Sequence, residues 1–165
     1  MSVTKIIRSL LQGRPSVNKT KSGRERRAIS SSESAASNEF LLATWKGLRS
    51  QYFPGRADLD SYSVNWSGRR QRRVLASCNL LQRRVLVARE LFQPSACRWI
   101  NAVLYHELCH AAIGGDIAVK GGKRRWHGPQ FRELERRHPD IEAMYAWIRA
   151  GGWAMTVQGF RVGRP

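Results

Sequence analysis

Residues 106–110 read His-Glu-Leu-Cys-His, an H-E-x-x-H pattern set in an apolar stretch. On a helix, side chains four apart share a face one turn from each other, so His106 and His110 can both reach one Zn²⁺ while Glu107 stands beside them. The chemistry this spacing supports is metal-assisted hydrolysis. Zinc would lower the pKa of its water toward about 7 and polarise a carbonyl, and Glu107 would take the water's proton and pass it to the leaving amine. Chance produces the pattern in on the order of one chain in a few hundred of this length. A hydrolytic zinc site needs a third protein ligand and an open position, so the pattern alone is incomplete.

Several downstream donors compete for the third place. Asp116 lies six residues after His110, the spacing of the pattern H-E-x-x-H-x-x-G-x-x-H, but Ile113 stands where that pattern has its turn glycine and Gly114 comes one residue late. Glu133 or Glu135 could act as a helical carboxylate ligand, yet the run Glu-Leu-Glu-Arg-Arg reads as a solvated face. His138, before Pro139 at a helix end, reads as a cap on carbonyls. His127 is placed best: it follows a basic loop and immediately precedes Gly128-Pro129 and a new helix, so closing the loop swings its imidazole onto the metal. Asp116 ranks second. Cys109 points about 60° from His106 on a helical wheel and reads as a small packing residue, and Tyr105, about 100° away, as a structural one.

The surrounding pattern must hold these groups in place. Asn38 is a fair N-cap, and Phe40, Leu41, Thr44, Trp45 and Leu48 recur at helical spacing up to Pro54-Gly55. Three strand-like runs follow, Tyr62 to Trp66, Val74 to Cys78 and Val85 to Ala88, and their close spacing predicts an antiparallel meander. An exposed edge of that sheet, the 85–88 strand, is expected to take an extended peptide substrate. Pro94-Ser95 open the helix that carries the H-E-x-x-H pattern, and Gly114-Gly115 stop it. A Gly/Lys/Arg loop spans 120–125. Pro129 starts a helix to Arg137, and a second runs from Asp140 to Arg149, ended by Gly151-Gly152.

Charge points to a partner. The 165 residues hold 29 Lys and Arg against 12 Asp and Glu, a net charge of +17. That excess goes beyond what solubility needs and suits nucleic acid, DNA above all. Arg69, Arg70, Arg72 and Arg73, with Lys123, Arg124 and Arg125, fall on expected turns and loops where they can meet phosphates; Trp66 and Trp126 beside them suit either base stacking or core packing. Residues 1–37 read as a disordered basic tail and 38–165 as the folded domain, though an Arg- and Ser-rich, acid-poor start also fits an organellar transit peptide. Three cysteines without a C-x-x-C pair fit free thiols in a reducing compartment, cytoplasmic or nucleoid-associated. No run approaches the roughly 18 apolar residues of a membrane span, so no membrane role is expected.

Tyr105-His106-Glu107-Leu108-Cys109-His110-Ala111-Ala112, followed by His127-Gly128-Pro129-Gln130-Phe131 and Arg137-His138-Pro139, resembles the SprT-like zinc metallopeptidases, which include the eukaryotic Spartan proteases. The resemblance covers about residues 38–150 and takes in Val64-Asn65-Trp66-Ser67 with the arginine pairs that follow it. It implies His106, His110 and His127 as zinc ligands, the last being the histidine of the family's H-G-x-x-F element, and Glu107 as the catalytic residue. The implied fold is an α+β, zincin-like minimal metalloprotease: an N-terminal helix, a small three-stranded antiparallel sheet, the H-E-x-x-H helix, and a following helix bearing the third ligand at its start. Many relatives carry a four-cysteine zinc ribbon that these three cysteines cannot form, so DNA contact would fall to the tail and the domain surface. The expected function is a zinc-dependent endopeptidase acting on DNA-associated proteins, as in repair of DNA–protein crosslinks. The competing readings are a general zinc peptidase and a basic DNA-binding protein with a vestigial site.

Overall fold

The computed structural model describes residues 31–114, 119–120, 123–124 and 126–162, with side chains placed for 37–114 and 126–160. The first helix, α1 (Ser31–Tyr52), buries Leu41, Trp45 and Leu48 along one stripe, and the Trp45 indole N–H donates to the Leu59 carbonyl at 2.9 Å. It begins before Asn38, so the tail boundary expected near 37 falls inside it. Ala35 and Ala36 are strong helix formers, and no Gly or Pro interrupts the segment before Gly47. Asn38 therefore does not cap the helix; its Oδ1 accepts the Trp66 backbone N–H at 3.0 Å and ties α1 to the sheet. Residues 1–30 of the expected tail lie outside the described residues.

The sheet comprises β1 (Ser63–Trp66), β2 (Ala76–Asn79) and β3 (Arg84–Val87) in the order β1-β3-β2. It is three-stranded as expected but not an antiparallel meander. β2 pairs antiparallel to β3, whereas β1 pairs parallel to it, with Val64 opposite Val85 and Trp66 opposite Val87. Two features explain the order. The connection 67–75 is longer than a hairpin loop, so the chain can pass over one position; and the most apolar strand, Arg-Val-Leu-Val, takes the centre, where Val85 and Val87 are fully buried. The 85–88 strand consequently has no open edge to offer a peptide. Among the described residues the outer edges of β1 and β2 both carry no strand, and α1 packs on β1.

Alternation puts Val64, Val85 and Cys78 in one buried row and Ala76 beside Val87 in the next. Against them lies α2 (Ile100–Ile113), which also packs on α1 and is buried almost all round, as its apolar composition requires. A 3₁₀ turn over Cys97–Trp99 leads into it. Gly114 ends it at φ 61, a left-handed conformation that favours glycine, with its N–H on the His110 carbonyl.

Beyond α2 the backbone of the basic loop forms a two-stranded ribbon, β4 (Val119–Lys120) with β5 (Lys123–Arg124). Pro129 opens α3 (Pro129–Glu135), which packs on α2 and stops short of the expected Arg137 because the chain turns there toward Pro139. After α4 (Ile141–Arg149), Gly151 at φ 85 makes a break, and a further helix that the sequence pattern does not signal, α5 (Gly152–Val162), buries Trp153 and Val157. No helix among the described residues is long and apolar enough to cross a membrane, and Cys78, Cys97 and Cys109 are unpaired.

Candidate metal centre

The middle of α2 supplies two of the site's histidines. His106 and His110 stand one turn apart on its buried face, their rings 4.9 Å centre to centre. His127, in the turn before α3, brings its ring within 5.3 Å of His106 and 4.8 Å of His110. One nitrogen from each of the three lies within 4.8 Å of the others. The closest pair, His127 Nε2 and His110 Nε2, is 3.1 Å apart; two ligands about 2.0–2.1 Å from one tetrahedral ion stand about 3.3 Å apart, so this spacing suits a shared metal. Phe131, one turn into α3, packs its ring 4.5–5.1 Å from all three imidazoles and makes the floor of the cluster apolar.

Burial and neighbouring charge together set the protonation of these groups. His110 is pushed well below the usual imidazole value by burial, helped by His106 and His127, so it is neutral and can donate a lone pair. At His106 burial also disfavours charge, but the Glu135 carboxylate, by hydrogen bond and by charge, wins and raises it. His106 Nδ1 is 2.5 Å from Glu135 Oε1, while its Nε2 is buried and has no hydrogen-bond partner among the described residues. Buried polar atoms are rarely left that way. An unpartnered imidazole nitrogen among two other histidines is the donor set a borderline-soft ion such as zinc takes, so the residues present fit a metal.

Glu107 follows His106 on α2 and is buried beside a small recess lined by Leu75, Ala76, Val103, Met144 and Ile148. Burial lifts its carboxyl to about 7, with the charge of His106 and the Cys78 backbone on β2 working against the rise. A carboxylate with that value is matched to proton transfer at neutral pH. Tyr105 faces away, as expected, its hydroxyl donating to the Leu134 carbonyl at 2.7 Å, and Cys109 is fully buried.

The SprT-like family model matches residues 41–145. The chain belongs to the SprT-like family. No curated protein and no solved structure matches it. The matched span runs from α1 through most of α4 and contains all three histidines and Glu107; α5 lies beyond it.

Asp116 and Arg125 lie outside the described residues, as do the side chains of Lys123 and Arg124, whose backbone forms β5. Glu135 is not on a solvated face: the i, i+4 spacing from Phe131 turns it inward to His106. His138 does not cap carbonyls. It is buried, with Nε2 3.1 Å from Asn101 Oδ1 and Nδ1 accepting the Asp140 N–H at the entry to α4. Tyr145, which no sequence pattern singles out, donates its hydroxyl to Glu135 Oε1 at 2.5 Å.

Arg69, Arg70, Arg72 and Arg73 occupy the connection between β1 and β2 and are exposed. Its main chain is pinned by the Gln71 N–H to Glu90 Oε1 and by the Trp153 indole to the Arg72 carbonyl, and Arg70 donates to the Val157 carbonyl of α5. Trp66 is half-buried, bonded to the Ser37 carbonyl and packed edge-on against Phe92; Trp126 stands at the histidine cluster, 6.2 Å from the His110 ring.

Proposed function

We propose that the protein is a zinc-dependent endopeptidase of SprT-like type that acts on proteins associated with DNA. The observation that carries the hydrolytic part is the convergence of three imidazole nitrogens beside a buried carboxylate poised near neutrality. Zinc bound there supplies Lewis acidity, making water more acidic and a carbonyl more electrophilic. Glu107 is the general base: it takes the proton of the attacking water and delivers it to the departing amine nitrogen. The carboxyl value of about 7 lets it do both. His106, His110 and His127 hold the ion in their neutral forms, and Phe131 keeps their far side dry. An extended peptide adds along the outer edge of β2, which lies against α2, so that backbone hydrogen bonds rather than side chains select the substrate.

The DNA part rests on charge. Residues 38–165 keep 21 of the basic residues against 10 acidic ones, and four exposed arginines share one connection. Phosphate contacts there would hold enzyme and DNA-bound protein together. The test is metal content together with cleavage of casein or histone, with and without single-stranded DNA. Zinc near one equivalent with cleavage stimulated by DNA is the expected result. Cleavage indifferent to DNA leaves a general peptidase, and DNA binding without cleavage leaves a binding protein with a vestigial site.

A further inference from the structure

Three groups meet on the side of His106 away from the other histidines. Glu135 Oε1 is 2.5 Å from His106 Nδ1, the Tyr145 hydroxyl is 2.5 Å from that same oxygen, and it is 3.2 Å from Nδ1 itself. The Tyr145 proton goes to the carboxylate, and an ionised carboxylate can only accept. His106 must therefore carry its hydrogen on Nδ1.

We infer that Glu135 and Tyr145 are positioning residues for His106, fixing its Nδ1–H tautomer and ring plane so that Nε2 faces the metal. The inference rests on the reading that the three histidines bind an ion. A purely structural ion pair between His106 and Glu135 would put a hydrogen on Nε2 as well, leaving a buried N–H with no acceptor, which folded proteins seldom tolerate. A metal-ligating histidine that passes its other N–H to a carboxylate resolves this, and such partners orient the ring and raise its basicity.

The arrangement also links the ligands to one another. Helix α3 has the third ligand just before it, Phe131 in its middle and Glu135 at its end. One seven-residue helix thus sets His127 directly and His106 through Glu135. Tyr145 reaches the same carboxylate from α4, so docking of α4 completes the support.

Two readouts on the full chain test this: Zn²⁺ affinity by competition with a chromogenic chelator, and the His106 tautomer from imidazole ¹⁵N shifts at alkaline pH. Glu135→Gln keeps an acceptor but loses the charge, and should weaken Zn²⁺ binding on the order of 10–100-fold while giving a mixture of tautomers. Tyr145→Phe should cost several-fold, toward the lower end of that range. Because Tyr145 acts through Glu135, the double variant should be little worse than Glu135→Gln alone. Affinities within about twofold of wild type and an unchanged tautomer in both variants would overturn the inference while leaving the metal site standing. Failure of the wild type to bind Zn²⁺ would overturn both.

Discussion

The histidine cluster and the arginine connection are the two most reactive-looking parts of this molecule, and the fold treats them in opposite ways. At the cluster His106 and His110 are buried and His127 is half-buried, and the position of His106 is fixed by Glu135 and Tyr145 while Phe131 fills the space below. In the connection 67–75 it is the main chain that is fixed, through Gln71, Arg72 and the Ser67 hydroxyl, while the four arginines are exposed and Arg70 alone is tethered, to the Val157 carbonyl. Buried polar groups are worth what their geometry makes them, because in a low dielectric a misplaced partner is costly. Exposed charges act through number and position along a surface, and tolerate looseness. The first region suits bond-breaking chemistry and the second suits a polyanion.

The largest break in this contrast should come from His127→Ala. It removes one of three ligands, so bound zinc should be lost, hydrolysis abolished, and the melting temperature lowered toward that of the metal-free protein, since binding to the native state is linked to folding. Zinc stoichiometry by atomic absorption checks it; retention of zinc in this variant, with none bound in Asp116→Ala, would move the third ligand to the loop.

A smaller, graded effect follows from the buried carboxyl. With its value raised to about 7, Glu107 is a base only above that pH. At saturating zinc, kcat/KM should fall roughly tenfold per unit on the acid side of about 7 and level off above it. A solvated glutamate would instead keep its activity down to about pH 5. A profile of kcat/KM that is flat between about pH 5 and 7 would show that Glu107 does not sit in the dry setting described, because the acid limb of the free enzyme reports its essential base.

The mildest effect is expected at the surface. Replacing Arg69, Arg70, Arg72 and Arg73 with Ser should weaken DNA binding across sequences. It should also flatten the dependence of log affinity on log salt by about 0.7 for each single-strand phosphate that the variant no longer neutralises. Cleavage of a short free peptide should barely change, because none of the four arginines is a proposed metal ligand or the proposed base. An unaltered salt slope would assign phosphate binding to another basic surface.

How much of this the sequence disclosed depends on the range of the interactions involved. His106, Glu107 and His110 are a local pattern on one helix, and His127 stands between a basic segment and a proline-started helix, so their meeting could be argued from spacing. The strand positions were also legible within a residue or two, since alternation is local. The strand order was not. Whether β1 pairs with β2 or β3 is settled by which strand takes the fully buried centre, and that involves residues far apart along the chain. The same holds for Glu135: the run Glu-Leu-Glu-Arg-Arg looks solvent-facing when read as charge, and only the packing of Phe131 under the histidines turns one of its two glutamates inward. Tyr145 carried no signal beyond its place in an amphipathic helix, and α5 was hidden behind a glycine pair that reads as a stop.

The central claim, that Glu107 works as a base on a metal held by three histidines, is tested most directly by measuring zinc content and casein hydrolysis side by side for the wild type and Glu107→Gln. The substitution keeps the size of the side chain and touches no ligand. Zinc stoichiometry should be unchanged and hydrolysis reduced by about 100-fold or more, the scale of a lost general base. A Glu107→Gln protein that binds zinc and cleaves as fast as the wild type would contradict it.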